Sequence, residues 1–165
     1  MRHGPAEDQA DSGMDSDRAL TAPGRDRVRG VAKLLLELEE QPLQVITSPL
    51  VRAVQTAEIV ALVTRLGDRQ GNVQVRRELS PGGGGGAGLI ASLVSAGSKR
   101  VMLVGHEPDM SELTETLISR GSPRPFEKAM VVGLQVGASG DHSRLRFVLD
   151  PKALGLDPDL RGGGP

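Results

Sequence analysis

The stretch Val101-Met102-Leu103-Val104-Gly105-His106-Glu107-Pro108 decides how this chain is read. Four consecutive apolar residues predict a buried strand, and the glycine after them opens it into a turn. An imidazole at that point stands at the carboxyl edge of a sheet, where ligands of open α/β sheets collect. A second histidine is framed in a similar way, in Arg2-His3-Gly4 at the start of the chain. The third, in Gly140-Asp141-His142-Ser143, reads as part of a polar turn. Histidine takes and gives protons, or phosphoryl groups, near neutral pH, so the first two are the candidates for chemistry.

Outward from this strand the pattern alternates. Thr21 is a predicted N-cap with Pro23 in the first turn, and Val28, Val31, Leu34, Leu35 and Leu38 recur at helical spacing up to about Glu40. Residues 43–47 read as a strand, about 50–65 as a second helix, and Val73 and Val75 as a short strand. The run Gly82 to Gly86 is a loop, since it lacks the Gly-Lys-Ser/Thr ending of a phosphate-binding P-loop. Leu89 to Val94 is helical, and Asp109 with Glu112 has the spacing of a capping box opening another helix. Strands at about 129–136 and 144–149 follow. The expectation is an α/β fold: a three-layer α/β/α sandwich on a mostly parallel central sheet, its last two strands forming a hairpin-like edge. Residues 1–150 form one domain in this reading, and 151–165 a loose tail.

Composition narrows the function. The 165 residues suit one domain with a real core, and a net charge of −1 gives no reason to expect nucleic acid or an acidic membrane as partner. Cysteine is absent, which excludes disulfides, thiolate zinc sites and a cysteine nucleophile. No apolar stretch approaches the roughly 18 residues of a membrane span, and no signal peptide precedes the charged start, so the expected location is cytoplasmic. Two phenylalanines are the only aromatics, so base-stacking recognition is not expected. Neither His3 nor His106 has the neighbouring ligands of familiar zinc motifs, and no metal or cofactor is expected.

A neutral imidazole can attack phosphorus in line and carry the phosphoryl group, provided fixed positive charge holds the non-bridging oxygens. Arg2 supplies one guanidinium. Arg52 offers a second, in Thr47-Ser48-Pro49-Leu50-Val51-Arg52, where a strand gives way to a helix N-terminus that itself favours anions. His106 would donate to a phosphoryl oxygen. The leaving group needs a proton, and Glu78, just after the predicted strand at Val73 and Val75, or Glu107, beside His106, would supply it.

Arg2-His3-Gly4, Thr21-Ala22-Pro23-Gly24, Ser48-Pro49-Leu50-x-Arg52-Ala53-x-Gln55-Thr56-Ala57, Glu78-Leu79-Ser80-Pro81 and Val104-Gly105-His106-Glu107-Pro108 together resemble the histidine phosphatase superfamily, also called phosphoglycerate-mutase-like. The short length, the Gln55-Thr56 pair and Glu78-Leu79-Ser80-Pro81 resemble its SixA-type branch of phosphohistidine phosphatases. The resemblance implies His3 as nucleophile, Arg2 and Arg52 as phosphate clamps, His106 as second catalytic histidine and, less directly, Glu78 as acid. It implies metal-independent hydrolysis of a phosphohistidine or phosphomonoester, with a phosphorylated protein or a small phosphate ester as partner. A sugar- or glycerate-phosphate phosphatase or mutase of the same fold, and a catalytically silent phosphate-binding module, are the alternatives. Oligomeric state is open. In this family an apolar first strand precedes the Arg-His-Gly motif, whereas only Met1 precedes Arg2 here. The first strand is therefore expected to be truncated, with roughly six apolar residues belonging upstream, and its two neighbours to be left with unpaired backbone groups.

Overall fold

The computed structural model describes residues 1–118, 124–137 and 143–157. His142 and the end of the predicted tail lie outside them. Four helices, α1 (Ala22–Glu37), α2 (Val51–Val63), α3 (Gly86–Ser95) and α4 (Asp109–Leu117), alternate with strands β1 (Gln44–Thr47), β2 (Val73–Val75) and β3 (Val101–Val104). The chain ends in an antiparallel unit of β4 (Val131–Gln135), β5 (Arg144–Asp150) and β6 (Gly155–Leu156). Thus residues 155–156 of the expected loose tail pair with β5 as a short strand.

The parallel unit has the order β2-β1-β3. Residues 1–3 join it to the antiparallel unit. On one side the Met1 nitrogen donates to Leu103 O (2.8 Å), Gly105 N to Met1 O (3.1 Å) and His3 N to Gly105 O (3.1 Å). On the other, Arg2 N donates to Met130 O (3.1 Å) and Ala129 N to His3 O (3.0 Å). A parallel bridge to Gly105 on one edge and backbone hydrogen bonds to Ala129 and Met130 on the other therefore fix Arg2 and His3.

Side chains alternate across the sheet as strand geometry requires. Met102, Val104 and Val131 share a buried cluster with Val28, Val31 and Leu35 of α1 and Ala53, Ala57 and Val60 of α2. The intervening residues Leu103 and Val132 pack with Met110 of α4, Phe126, Met130 and Val148. One face is thus covered by α1 and α2 and the other by α4, which packs with α3, giving the expected three layers.

Residues 1–3 fill only the upper end of the interval between β3 and β4. Below them an open, largely apolar groove of about 890 Å³ continues, lined by Met1, Val101, Leu103, Phe126, Val131 and Phe147 among others.

The Thr21 cap forms as predicted, its hydroxyl accepting from Gly24 N at 3.1 Å. The capping box at α4 does not. Pro108 occupies the cap position, and Asp109 is already the first helical residue. Its carboxylate accepts instead from Gly82 N (3.1 and 3.2 Å), tying the glycine-rich loop to the helix start. A carboxylate one position inside the helix still complements the dipole, so the composition signal survives although the geometry differs.

Candidate active site

Four segments that the chain keeps far apart end together at the carboxyl edge of the parallel strands. Residues 1–3 bring Arg2 and His3, β1 runs into Ser48, α2 carries Arg52 in its first turn, and β3 delivers His106. Glycines let these segments touch. A Cβ on Gly4 would come within 2.6 Å of Val28 Cγ2, and one on Gly24 within 2.0 Å of Pro5 O. The second distance leaves no room for a methyl group against backbone. The Arg-His-Gly and Thr-Ala-Pro-Gly motifs therefore describe one packed junction.

α2 holds that junction with two adjacent side chains. Thr56 Oγ1 accepts from Gly4 N at 3.1 Å and donates to Arg52 O at 2.7 Å. Gln55 Oε1 accepts from Leu20 N at 2.7 Å. These contacts fix the loop behind His3 and explain Gln55 and Thr56 as scaffold.

The rings of His3 and His106 face each other with centroids 5.0 Å apart and planes inclined at 52°. Both residues are buried, at 6 % and 3 % exposure. His3 Nδ1 lies 2.7 Å from Gly4 O, an acceptor only, so the proton sits on Nδ1 and Nε2 keeps its lone pair. His106 Nε2 lies 2.8 Å from Ser48 Oγ. Ser48 Oγ also accepts from Leu50 N (3.3 Å); with its hydroxyl donating to Nε2, the His106 proton stands on Nδ1, a buried atom with no partner among the described residues.

Burial is the largest influence on both imidazoles. The His3 pKa is lowered to about 3, by desolvation first, with the charges of His106, Arg52 and Arg2 adding to it against the hydrogen bond to Gly4. That of His106 is lowered to about 4, again by desolvation and then by Arg52 and Arg2, with Asp15 opposing. At neutral pH one ring offers a lone pair and the other an N–H.

The two guanidiniums are anchored differently. Arg2 Nη1 donates to Phe126 O at 2.7 Å, and its buried Nε has no partner among the described residues. Arg52 is buried and donates from Nη1 to Asp15 O (2.7 Å) and from Nη2 to Asp15 Oδ2 (2.9 Å). Arg18 holds the other Asp15 oxygen at 2.7 Å, and the two arginines keep this carboxyl below the usual carboxylate range. Asp15 was not visible in the sequence, because an acidic, turn-rich stretch carries no sign of which carboxylate folds back onto the site.

The acid candidates separate. Glu78 is exposed on the short turn Arg77–Leu79 and lines a small cavity of about 150 Å³ together with His106. Glu107 does not line it. Its Oε2 accepts from Ser111 Oγ at 2.7 Å, and burial raises its pKa above the usual carboxylate range. Among the described residues no group of three or more histidines and carboxylates is placed to hold a metal ion. No helix there is long and apolar enough to cross a membrane.

Comparison with known proteins gives the family and the fold. Residues 1–79 match the model of the histidine phosphatase superfamily (branch 1). The chain is 30% identical over 143 residues to the phosphohistidine phosphatase SixA of Escherichia coli (strain K12), covering 86% of each. It is 39% identical over 143 residues to an uncharacterised protein of Picosynechococcus sp. (strain ATCC 27264 / PCC 7002 / PR-6), covering 84% of each. Among solved structures, a protein histidine phosphatase SixA complexed with tungstate superposes with a TM-score of 0.84 at 29% identity, covering 94% of this chain and 97% of that one. A mycobacterial glucosyl-3-phosphoglycerate phosphatase shares the fold, with a TM-score of 0.66 at 19% identity over 87% of this chain and 93% of that one. The chain belongs to the histidine phosphatase superfamily.

Proposed function

We propose that the chain is a phosphatase that removes the phosphoryl group of a phosphohistidine, or of a phosphomonoester, through a covalent intermediate on His3. The observation that carries this reading is the pair of facing imidazoles, 5.0 Å apart, with His3 Nδ1 committed to Gly4 O. That hydrogen bond leaves Nε2 as the only nitrogen of His3 able to attack. The identity with a phosphohistidine phosphatase supports the substrate class.

In the first step the Nε2 lone pair attacks phosphorus. The new P–N bond forms as the bond to the leaving imidazole nitrogen, or ester oxygen, breaks, and that atom takes a proton. Arg2 and Arg52 neutralise the non-bridging oxygens, and His106 Nδ1–H donates to one of them. Arg52 does so by exchanging an Asp15 contact for a phosphoryl oxygen. We assign the leaving-group proton to Glu78, the carboxylate at the mouth beside His106. An imidazole leaving group asks little of this acid, being readily protonated itself. In the second step water attacks phosphorus and the P–N bond to His3 breaks, releasing inorganic phosphate and the neutral ring.

The test is a panel of a phosphohistidine-bearing protein, a phosphoserine peptide and an aryl phosphate, run with wild type and His3→Ala. Hydrolysis fastest on phosphohistidine and absent in the variant is expected. Equal residual turnover by His3→Ala would rule out the covalent route.

A further inference from the structure

Ser48 is a polar residue of the site that takes no part in the steps above. It follows β1 directly and is fully buried. Its N–H donates to Val104 O at 3.0 Å, continuing the parallel pairing that sets Thr47 beside Val104. His106 lies two residues beyond Val104, and its carbonyl accepts from Met110 N at 2.9 Å. Both backbones are thus held, and the side chains meet at 2.8 Å between Ser48 Oγ and His106 Nε2. Pro49 has no N–H, so Leu50 N is the next amide of the turn, and it donates to the same Oγ at 3.3 Å. Among the described residues Oγ has no further hydrogen-bond partner.

Two arrangements of protons fit the 2.8 Å contact. With Nε2 protonated and donating to Oγ, the serine hydroxyl proton has no acceptor and Nδ1 is a second unmet group. With the hydroxyl donating to Nε2, only the Nδ1 proton is left over. Burying an unmet polar group is costly, so one is favoured over two.

We infer that Ser48 is a positioning residue, whose hydroxyl fixes the His106 tautomer so that an N–H, and not a lone pair, is offered to the phosphoryl oxygen. The use made of that N–H rests on the phosphatase reading above, whereas the tautomer itself does not. A neutral imidazole carries one N–H and one lone pair. The first stabilises an anion and the second repels it, so the choice of nitrogen decides whether His106 helps or hinders. Burial keeps both rings neutral at pH 7, which makes that choice matter. At His3 the same device has the opposite outcome: Gly4 O, an acceptor only, holds the proton on Nδ1 and leaves Nε2 its lone pair. A carbonyl thus sets one ring to attack, and a hydroxyl sets the other to donate.

The experiment uses ¹⁵N-labelled histidine in wild type, Ser48→Ala and Ser48→Thr. Long-range ¹H–¹⁵N NMR at pH 7 reports which nitrogen of His106 is protonated, and titration with inorganic phosphate reports binding without turnover. Wild type is expected to carry the proton on Nδ1. Ser48→Ala should move the population toward Nε2–H and weaken inorganic phosphate about tenfold. Ser48→Thr, which keeps the hydroxyl, should restore both. A proton on Nε2 in wild type would overturn the assignment, and this result needs no variant to fold. So would an unchanged tautomer in Ser48→Ala, even with thermal stability lowered, since Ser48 would then be structural only. A tautomer that follows Ser48 while wild type binds no inorganic phosphate would support the positioning role and count against the phosphatase reading instead.

Discussion

The two ends of the sheet are built on opposite terms. At the carboxyl end atoms are crowded and polar groups are left wanting. Gly24 has backbone oxygen where a methyl would go, yet Arg2 Nε and His106 Nδ1 are buried without partners among the described residues. At the other end, the interval between β3 and β4 holds about 890 Å³ of open groove with a largely apolar lining. Buried polar atoms without partners are costly, roughly 1–3 kcal/mol each, and persist where a ligand completes them. In the proposed reading the crowded end receives an anion, on segments that Gly4, Gly24, Gln55 and Thr56 interlock. The open end is a loosely filled groove whose apolar side chains, Met1, Val101, Leu103 and Val131 among them, lie beside charged ones such as Arg100 and Arg146.

The contrast breaks most severely at Arg52. Arg52→Ala removes one clamp from a preorganised site, and a loss of about 10²–10³ in kcat/KM is expected, by analogy with removing a single oxyanion donor. Steady-state assays on phosphohistidine check it, with thermal unfolding to confirm the fold.

Acid comes next. Both histidines have folded pKa values near 3 and 4 against 6.5 in the free side chain. Between those limits the unfolded chain binds protons that the folded chain does not, so stability is complete above about pH 6.5 and falls as pH drops. Each ring contributes a slope of about 1.4 kcal/mol per pH unit in that window. Urea unfolding at pH 7, 6 and 5 should reveal it, and His106→Ala should flatten the slope.

Gly24→Ala forces a Cβ to 2.0 Å from Pro5 O and should cost about 1–3 kcal/mol, with phosphate binding weakened as the junction behind His3 shifts. The open end should respond with the opposite sign. Val132→Leu adds a methylene beside the groove and is expected to be neutral or to stabilise by up to about 1 kcal/mol. A destabilisation as large as that of Gly24→Ala would show that the groove is better packed than its volume implies.

Much of this was legible in the sequence because the strong signals are local. The apolar run before Gly105 predicts β3, and Thr21 with Pro23 predicts where α1 starts. Likewise, the spacing of short motifs identifies the segments that bring Arg2, His3, Arg52 and His106 to one edge. The capping box at Asp109 misled because the same residue pattern also serves a carboxylate that reaches across to a loop. The role of Asp15 was not legible at all. It depends on which exposed carboxylate the tertiary fold turns toward Arg52, and no spacing along the chain encodes that.

The central claim is that His3 Nε2 becomes covalently phosphorylated. Rapid acid-free quenching of wild type during turnover of a ³²P-labelled phosphohistidine protein, followed by peptide mapping, tests it directly. The account predicts label on the peptide containing His3, stable in base and lost in acid, and none on the peptide containing His106. Label on His106, or inorganic phosphate released with no labelled enzyme at any time, would contradict it.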